Sequence, residues 1–192
     1  MDESDGAAVA RAQSGDGDAF RVLVERHSRS VFRLAFRMTG NEQDAEDVVQ
    51  ETFLRAYKQL GHYESRSSFS TWLYRIASNY SLDLIRMRKR HDDKRETESE
   101  EGRSPLDTVA SADPAQDRLV FSNEVQQQVS DAMKELSDLE RSAFVLRHFE
   151  GLSIEDIGGM LGTSLNATKH SIFRAVQKLR KRLEPLVAPA GC

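Results

Sequence analysis

The chain has 192 residues, 39% of them hydrophobic and 30% charged, with a formal net charge of -4. That length and apolar fraction allow one domain or two small ones, each with a buried core. No apolar run approaches the roughly eighteen residues of a membrane span, and the opening MDESDGAAVARAQSG lacks the basic and then apolar order of a secretion signal, so no membrane insertion and a cytoplasmic location are expected. A single cysteine, Cys192, excludes an intrachain disulfide and a thiolate zinc site.

The mild acidity hides a segregation of charge. Residues 86–90 read RMRKR, and residues 164–182 hold Lys169, Arg174, Lys178, Arg180, Lys181 and Arg182 without one carboxylate. Between them, residues 91–117 are mostly acidic and polar.

Residues 1–17 are expected to form a tail that leads into the first helix. Phe20, Leu23, Val24, His27, Val31, Leu34, Ala35 and Met38 recur at spacings of three and four, which predicts an amphipathic helix from about Asp18 to Gly40. Asn41 is placed to cap a second helix with an inward stripe of Ala45, Val48, Val49, Thr52, Phe53, Ala56 and Leu60 and an acidic outer face of Asp44, Glu46, Asp47 and Glu51. After a polar loop, Trp72, Leu73, Ile76, Ala77, Tyr80 and Leu84 predict a third helix over about 70–90. Segment 91–117 has few large apolar residues, carries Pro105 and Pro114, shows no period, and reads as a linker. Beyond it Leu119, Val120, Val125, Val129, Ala132, Met133 and Leu136 form another helical stripe. The capping-box patterns at Ser137–Glu140 and Ser153–Asp156 then open two further helices.

Residues 153–172 have the order of a helix-turn-helix: a short capped helix, a turn at Gly162, and a second capped helix that becomes basic. Ser164, Asn166, Ala167, Lys169 and His170 would face base edges, with Arg174, Lys178 and Arg180 further along for phosphates. Ile172, Phe173, Ala175, Val176 and Leu179 are assigned to packing. A helical hairpin with a solvated basic face is the plainer alternative. On the third helix Arg75, Asn79, Arg86 and Arg88 recur at helical spacing, preceded by Tyr63 and Phe69, and cations beside aromatics suit unstacked single-stranded bases.

Three segments together, DAEDVVQETFLRAYKQL (44–60), FSTWLYRIASNYSLDLIRMRKR (69–90) and LSDLERSAFVLRHFEGLSIEDIGGMLGTSLNATKHSIFRAVQKLRKRL (136–183), resemble bacterial sigma factors of the extracytoplasmic-function (ECF) group of the sigma-70 family. The resemblance implies an all-α protein of two small domains: a region 2 helical bundle over 18–90 and a region 4 helix-turn-helix over 118–185. They would be joined by an acidic flexible linker over 91–117, with a C-terminal tail over 186–192. It implies that Asp44, Asp47, Val48, Gln50, Glu51, Phe53 and Leu54 dock on core RNA polymerase. Tyr63 and Phe69, in and beside a loop over 61–71 that captures a flipped base, would act with Arg75, Asn79, Arg86, Arg88 and Lys89 at the minus-ten element. Ser164, Asn166, Ala167, Lys169, His170, Arg174 and Lys178 would engage the minus-thirty-five element.

Promoter elements two helical turns apart lie ~70 Å from each other. A linker of 27 residues (91–117) spans roughly 25 to 30 Å as a relaxed coil and about 90 Å when stretched, so it is expected to run extended, apart from the reach that the domains themselves supply. The chain departs from the family pattern at Asn166, Ala167, Thr168, His170 and Ser171, keeping Lys169, and at Gly158, where alanine is usual.

Family analogy adds promoter DNA and an anti-sigma factor as partners, with no cofactor or metal. A free-standing helix-turn-helix regulator that does not bind core polymerase is the alternative, but residues 18–90 carry no sign of a sensing module. An enzyme acting on nucleic acid is disfavoured, because no metal-ligand cluster or nucleophile-base constellation is present and His27, His62, His91, His148 and His170 are scattered.

Overall fold

The computed structural model describes residues 4–98 and 127–187, with side chains over 4–91 and 127–184. Most of the expected linker, the stripe residues Leu119, Val120 and Val125, and the final residues 188–192 lie outside the described residues. All regular structure among the described residues is helical.

Helices begin and end where local chemistry directs. Helix α1 (Asp5–Gln13) starts at Ser4, whose hydroxyl accepts from the Ala7 amide. Helix α2 (Gly17–Thr39) is capped by Asp16 and stopped by Gly40, which takes a left-handed φ of 70°. Asn41 Oδ1 accepts from the Asp44 amide at 2.9 Å and opens α3 (Glu42–Gln59), after which a single 3-10 turn spans Leu60–His62. Helix α4 is Phe69–Glu98. A helix whose described part covers 127–134 is α5, followed by α6 (Asp138–His148), α7 (Ile154–Leu161) and α8 (Leu165–Val187).

Two expectations change here. Residues 1–17 are not a tail, because α1 buries Ala8 and Val9 against the first bundle. Its nine residues hold small apolar groups only, so its period is faint. Helix α4 does not stop at Arg90 but continues to Glu98. No proline or glycine interrupts 91–98, and its Lys, Arg and Glu residues are good helix formers.

Helices α2, α3 and α4 enclose Leu23, Val31, Leu34, Met38, Val48, Ala56, Leu73 and Ala77. In the second unit Ala132 and Leu136 of the α5 end meet Ala175 and Leu179 of α8. The helix-turn-helix is seated on the first bundle, and Val145, Leu146, Ile157 and Met160 belong to the same apolar cluster as α2 and α4. Polar links tie the seam. The Arg37 guanidinium lies 4.2 Å over the Phe149 ring and 3.3 Å from Glu150 Oε1, Arg141 donates to the carbonyls of Met133 (2.9 Å) and Met38 (3.3 Å), and Lys89 Nζ reaches both oxygens of Asp138 at 2.8 Å. Burial of Arg141 lowers its pKa, with the Asp138 charge opposing.

Candidate nucleic-acid and polymerase interface

The geometry sorts the expected polymerase-facing residues into two groups. Asp47, Gln50 and Leu54 are exposed along α3, and Glu51, half-buried, is held by Arg55 at 2.6 Å. Asp44, Val48 and Phe53 are buried, and Val48 and Phe53 join the core. Asp44 is 3% exposed, and its carboxylate meets the Arg88 guanidinium at 2.5 Å, tying the start of α3 to α4. Burial raises the Asp44 pKa, with Arg88 pulling it down and Asp47 pushing it up.

A carboxylate with a raised pKa contributes stability below its unfolded pKa and loses it as pH rises through the folded value, so ionised Asp44 is a cost at neutral pH. Asp44→Asn is therefore expected to leave the thermal midpoint at pH 7 unchanged or higher, and a large fall would contradict this placement.

Between α2 and α3 a groove is lined by Ser28, Arg29, Phe32, Glu46, Val49 and Gln50. Phe32 stacks on Phe36, which is 45% exposed. Phe36 escaped the sequence reading because it lies on the expected bundle helix, although it falls outside the stripe of spacings that the core uses.

The minus-ten candidates surround the loop between the 3-10 turn and α4. Phe69 is 3% exposed and packs edge-to-face on Tyr63 and His27, with Trp72 alongside, so it supports the loop instead of presenting a ring to solvent. Tyr63 is half-buried against Trp72, and its hydroxyl donates to the Ser67 carbonyl at 2.6 Å, closing the loop. Ser65 takes a positive φ of 55°, and the Ser68 hydroxyl accepts from the Thr71 amide to start α4. Arg75, Asn79 and Arg86 are exposed on α4, while Arg88 and Lys89 are engaged by Asp44 and Asp138. Arg75 also neighbours α7, since a Cβ added at Gly159 would lie 3.7 Å from its guanidinium.

In the helix-turn-helix, Ser153 caps α7 and Gly162 ends it at a φ of 64°. Gly158 has a packing reason: a Cβ there would come within 3.0 Å of the Thr163 carbonyl and 3.2 Å of Thr168 Oγ1. The turn and the start of α8 thus lie close over α7. Ser164 accepts from the Ala167 amide and begins α8. Thr168 and Ser171 point inward, Ala167 is half-buried, and Asn166, Lys169 and His170 are exposed.

Phe173 is not a packing residue. It is 61% exposed, one turn beyond Lys169 and two beyond Asn166. Its apolar character suggested the core, while its register already placed it on the outer stripe. Arg174 and Lys178 are both bound to Glu140, at 3.2 Å and 2.7 Å, so the two expected phosphate grippers tie α8 to α6. Among the described residues Lys169, Arg180 and Lys181 make no ion pair, leaving α8 with a separate set of exposed cations.

A family model described as Sigma-70 region 2 matches residues 23–91, and one described as Sigma-70, region 4 matches residues 126–179. The chain is 34% identical to the RNA polymerase sigma-H factor of Pseudomonas aeruginosa over 98% of both chains. It is also 33% identical to the ECF RNA polymerase sigma factor SigW of Bacillus subtilis, over 93% of this chain and 96% of that one. The chain belongs to the ECF group of the sigma-70 family. Among solved structures, CnrH in complex with the cytosolic domain of CnrY matches with a TM-score of 0.66 and 27% identity, over 95% of this chain and 99% of CnrH. The sigma factor RpoE of Bartonella quintana, solved with the anti-sigma factor NepR, shares the fold at a TM-score of 0.66 and 22% identity, over 86% of this chain and 96% of that one.

The protein is accordingly an alternative sigma factor that directs promoter-specific initiation. With regions 2 and 4 both present and in order, the free-standing regulator is not favoured. No described helix is long and apolar enough to cross a membrane.

Proposed function

We propose that this sigma factor docks on core RNA polymerase through the exposed side of α3 and the groove it shares with α2. In this reading it opens the minus-ten element with the loop before α4 and with Arg75, Asn79 and Arg86, and reads the minus-thirty-five element with α8. It works by binding alone, in the cytoplasm where polymerase and promoter are, and an anti-sigma factor that covers its interfaces holds it inactive. Region 2 then extends over 18–90 and region 4 over 118–185. Opening draws on binding energy, because an extruded base costs a few kcal/mol that contacts to the exposed strand must offset.

The single observation that carries the DNA assignment is the division of α8: Asn166, Lys169, His170 and Phe173 lie exposed while Thr168 and Ser171 face inward. One edge thus offers hydrogen-bonding side chains and an aromatic ring suited to a thymine methyl group. Selection of promoter sequences from a randomised pool by wild-type and variant holoenzymes tests it. Asn166→Ala, His170→Ala and Phe173→Ala are each expected to relax preference at particular base pairs, by ~1 to 3 kcal/mol for a good base contact. Arg180→Ala together with Lys181→Ala is expected to weaken binding to all sequences alike and to lower the salt slope by about 0.9 per lost phosphate contact. Unchanged base preference in all three single variants would remove α8 as the reading helix.

A further inference from the structure

Besides the pairing of Asp5 with Arg26 at 3.1 Å, helix α1 makes polar contacts with the parts of region 2 that hold the loop before α4. At its C-terminal end the Gln13 side-chain nitrogen donates to the Leu60 carbonyl and to the Tyr63 carbonyl, both at 2.9 Å. Two carbonyl acceptors at one site fix the amide orientation, since its oxygen would be repelled there. These carbonyls belong to the first residue of the 3-10 turn and to the residue that follows it, and the Tyr63 amide also closes on the Leu60 carbonyl at 3.1 Å. At the other end of α1, Asp5 Oδ2 lies 2.7 Å from His27 Nε2, and the His27 ring packs edge-to-face on Phe69 at 5.4 Å. Gln13 therefore holds the stem entering the loop, and Asp5, through His27, steadies the stem leaving it.

The brace is itself fixed in place. Arg11 binds Asp16, the residue that caps α2, through Nε at 2.9 Å, and Ala8 and Val9 anchor the middle of α1 in the core. Between the stems, residues 64–68 are exposed. Tyr63 and Phe69 touch each other at 5.7 Å, so a shift at either stem moves the other.

We infer that Gln13 is a positioning residue for promoter opening, presetting the loop between Tyr63 and Phe69 so that a flipped base meets a formed site. This rests on the reading that the loop captures that base. A preformed receptor avoids the ordering cost that a slack loop would incur at each opening event. Gln13 is exposed, so losing its two bonds affects the loop more than the global fold.

The test uses holoenzyme reconstituted from the full chain and bacterial core polymerase, on a promoter fragment selected by the wild-type holoenzyme and carrying 2-aminopurine in its minus-ten segment. Gln13→Met keeps the shape and removes both donors. Loss of two neutral hydrogen bonds predicts an opening rate, read from the fluorescence rise, about tenfold slower. Core affinity, closed-complex affinity and thermal midpoint should stay close to wild-type. A loop variant lacking residues 65–67 is measured in parallel.

Slowed opening in both variants, with Gln13→Met otherwise unaffected, supports the brace. A loop deletion that blocks opening while Gln13→Met opens normally overturns the brace and leaves base capture standing. Normal opening in both overturns the capture reading and the brace with it. If Gln13→Met loses thermal stability and core affinity in step with opening, its role is general support of the bundle and the inference fails.

Discussion

Glu140→Ala is expected to destabilise region 4 by roughly 2 to 3 kcal/mol, the combined loss of the reciprocal half of a capping box and of charge-assisted hydrogen bonds at a buried site. For a unit of this size that is a fall on the order of 10 °C in its thermal midpoint. Glu140 is buried and closes three contacts: its carboxylate accepts from the Ser137 amide at 3.0 Å, completing the capping box of α6, and binds Lys178 and Arg174 of α8. Without it, α6 keeps the Ser137 hydroxyl cap but loses the reciprocal half of its capping box, and α8 loses its polar tie.

Acid tests the same site without mutation. Burial opposes ionisation of Glu140, but hydrogen bonds from Lys178 and Ser137 and the charges of Lys178 and Arg174 outweigh it and hold its pKa below the usual glutamate value. A carboxylate with a depressed folded pKa contributes stability above its unfolded pKa, and that contribution is lost as pH falls through the folded value. Wild-type region 4 should therefore weaken as pH drops below the ordinary glutamate range, whereas Glu140→Gln should be flatter over that window. Hydrogen exchange of α6 and α8 amides measures both. A Glu140→Ala variant as protected as wild-type would refute the role given to this carboxylate.

The second large effect concerns docking. Leu54 is 48% exposed on α3, one turn beyond the exposed Gln50. An apolar side chain at the centre of an interface commonly carries 2 kcal/mol or more, so Leu54→Arg, which adds a charge that must be desolvated, should weaken core binding by about thirtyfold or more. Asp44→Asn should leave core affinity as it is, because that side chain is turned inward to Arg88. Competition binding to core polymerase measures both. Equal losses would place the interface at the start of α3, and no loss for Leu54→Arg would take it off this face.

Much of the fold was legible because its helices carry their own punctuation. Asn41, Ser137 and Ser153 cap as their residue types suggest, and Gly40 and Gly162 adopt the left-handed conformation that ends a helix. Helix α1 was not legible, since a short helix with small apolar residues owes its stability to the surface it covers.

Site residues were read less well than elements, for one physical reason: sequence period tells which face a residue lies on, not what crosses to meet it. Arg174 and Lys178 look like free cations until Glu140, distant in the chain, arrives beneath them. Asp44 looks like part of an acidic outer face until Arg88 reaches it. Phe69 and Phe173 traded expectations, the loop aromatic being core and the helix aromatic exposed. Gln13, a polar residue in an apparent tail, gave no signal, because its partners are backbone carbonyls that carry no side-chain pattern.

Promoter-dependent run-off transcription with purified bacterial core polymerase tests the central claim most directly. Core enzyme supplemented with this protein should yield a transcript of defined start from fragments carrying the selected promoter, and none from fragments with either element scrambled. Tight binding to duplex DNA with no association with core, and no transcript of defined start, would contradict it.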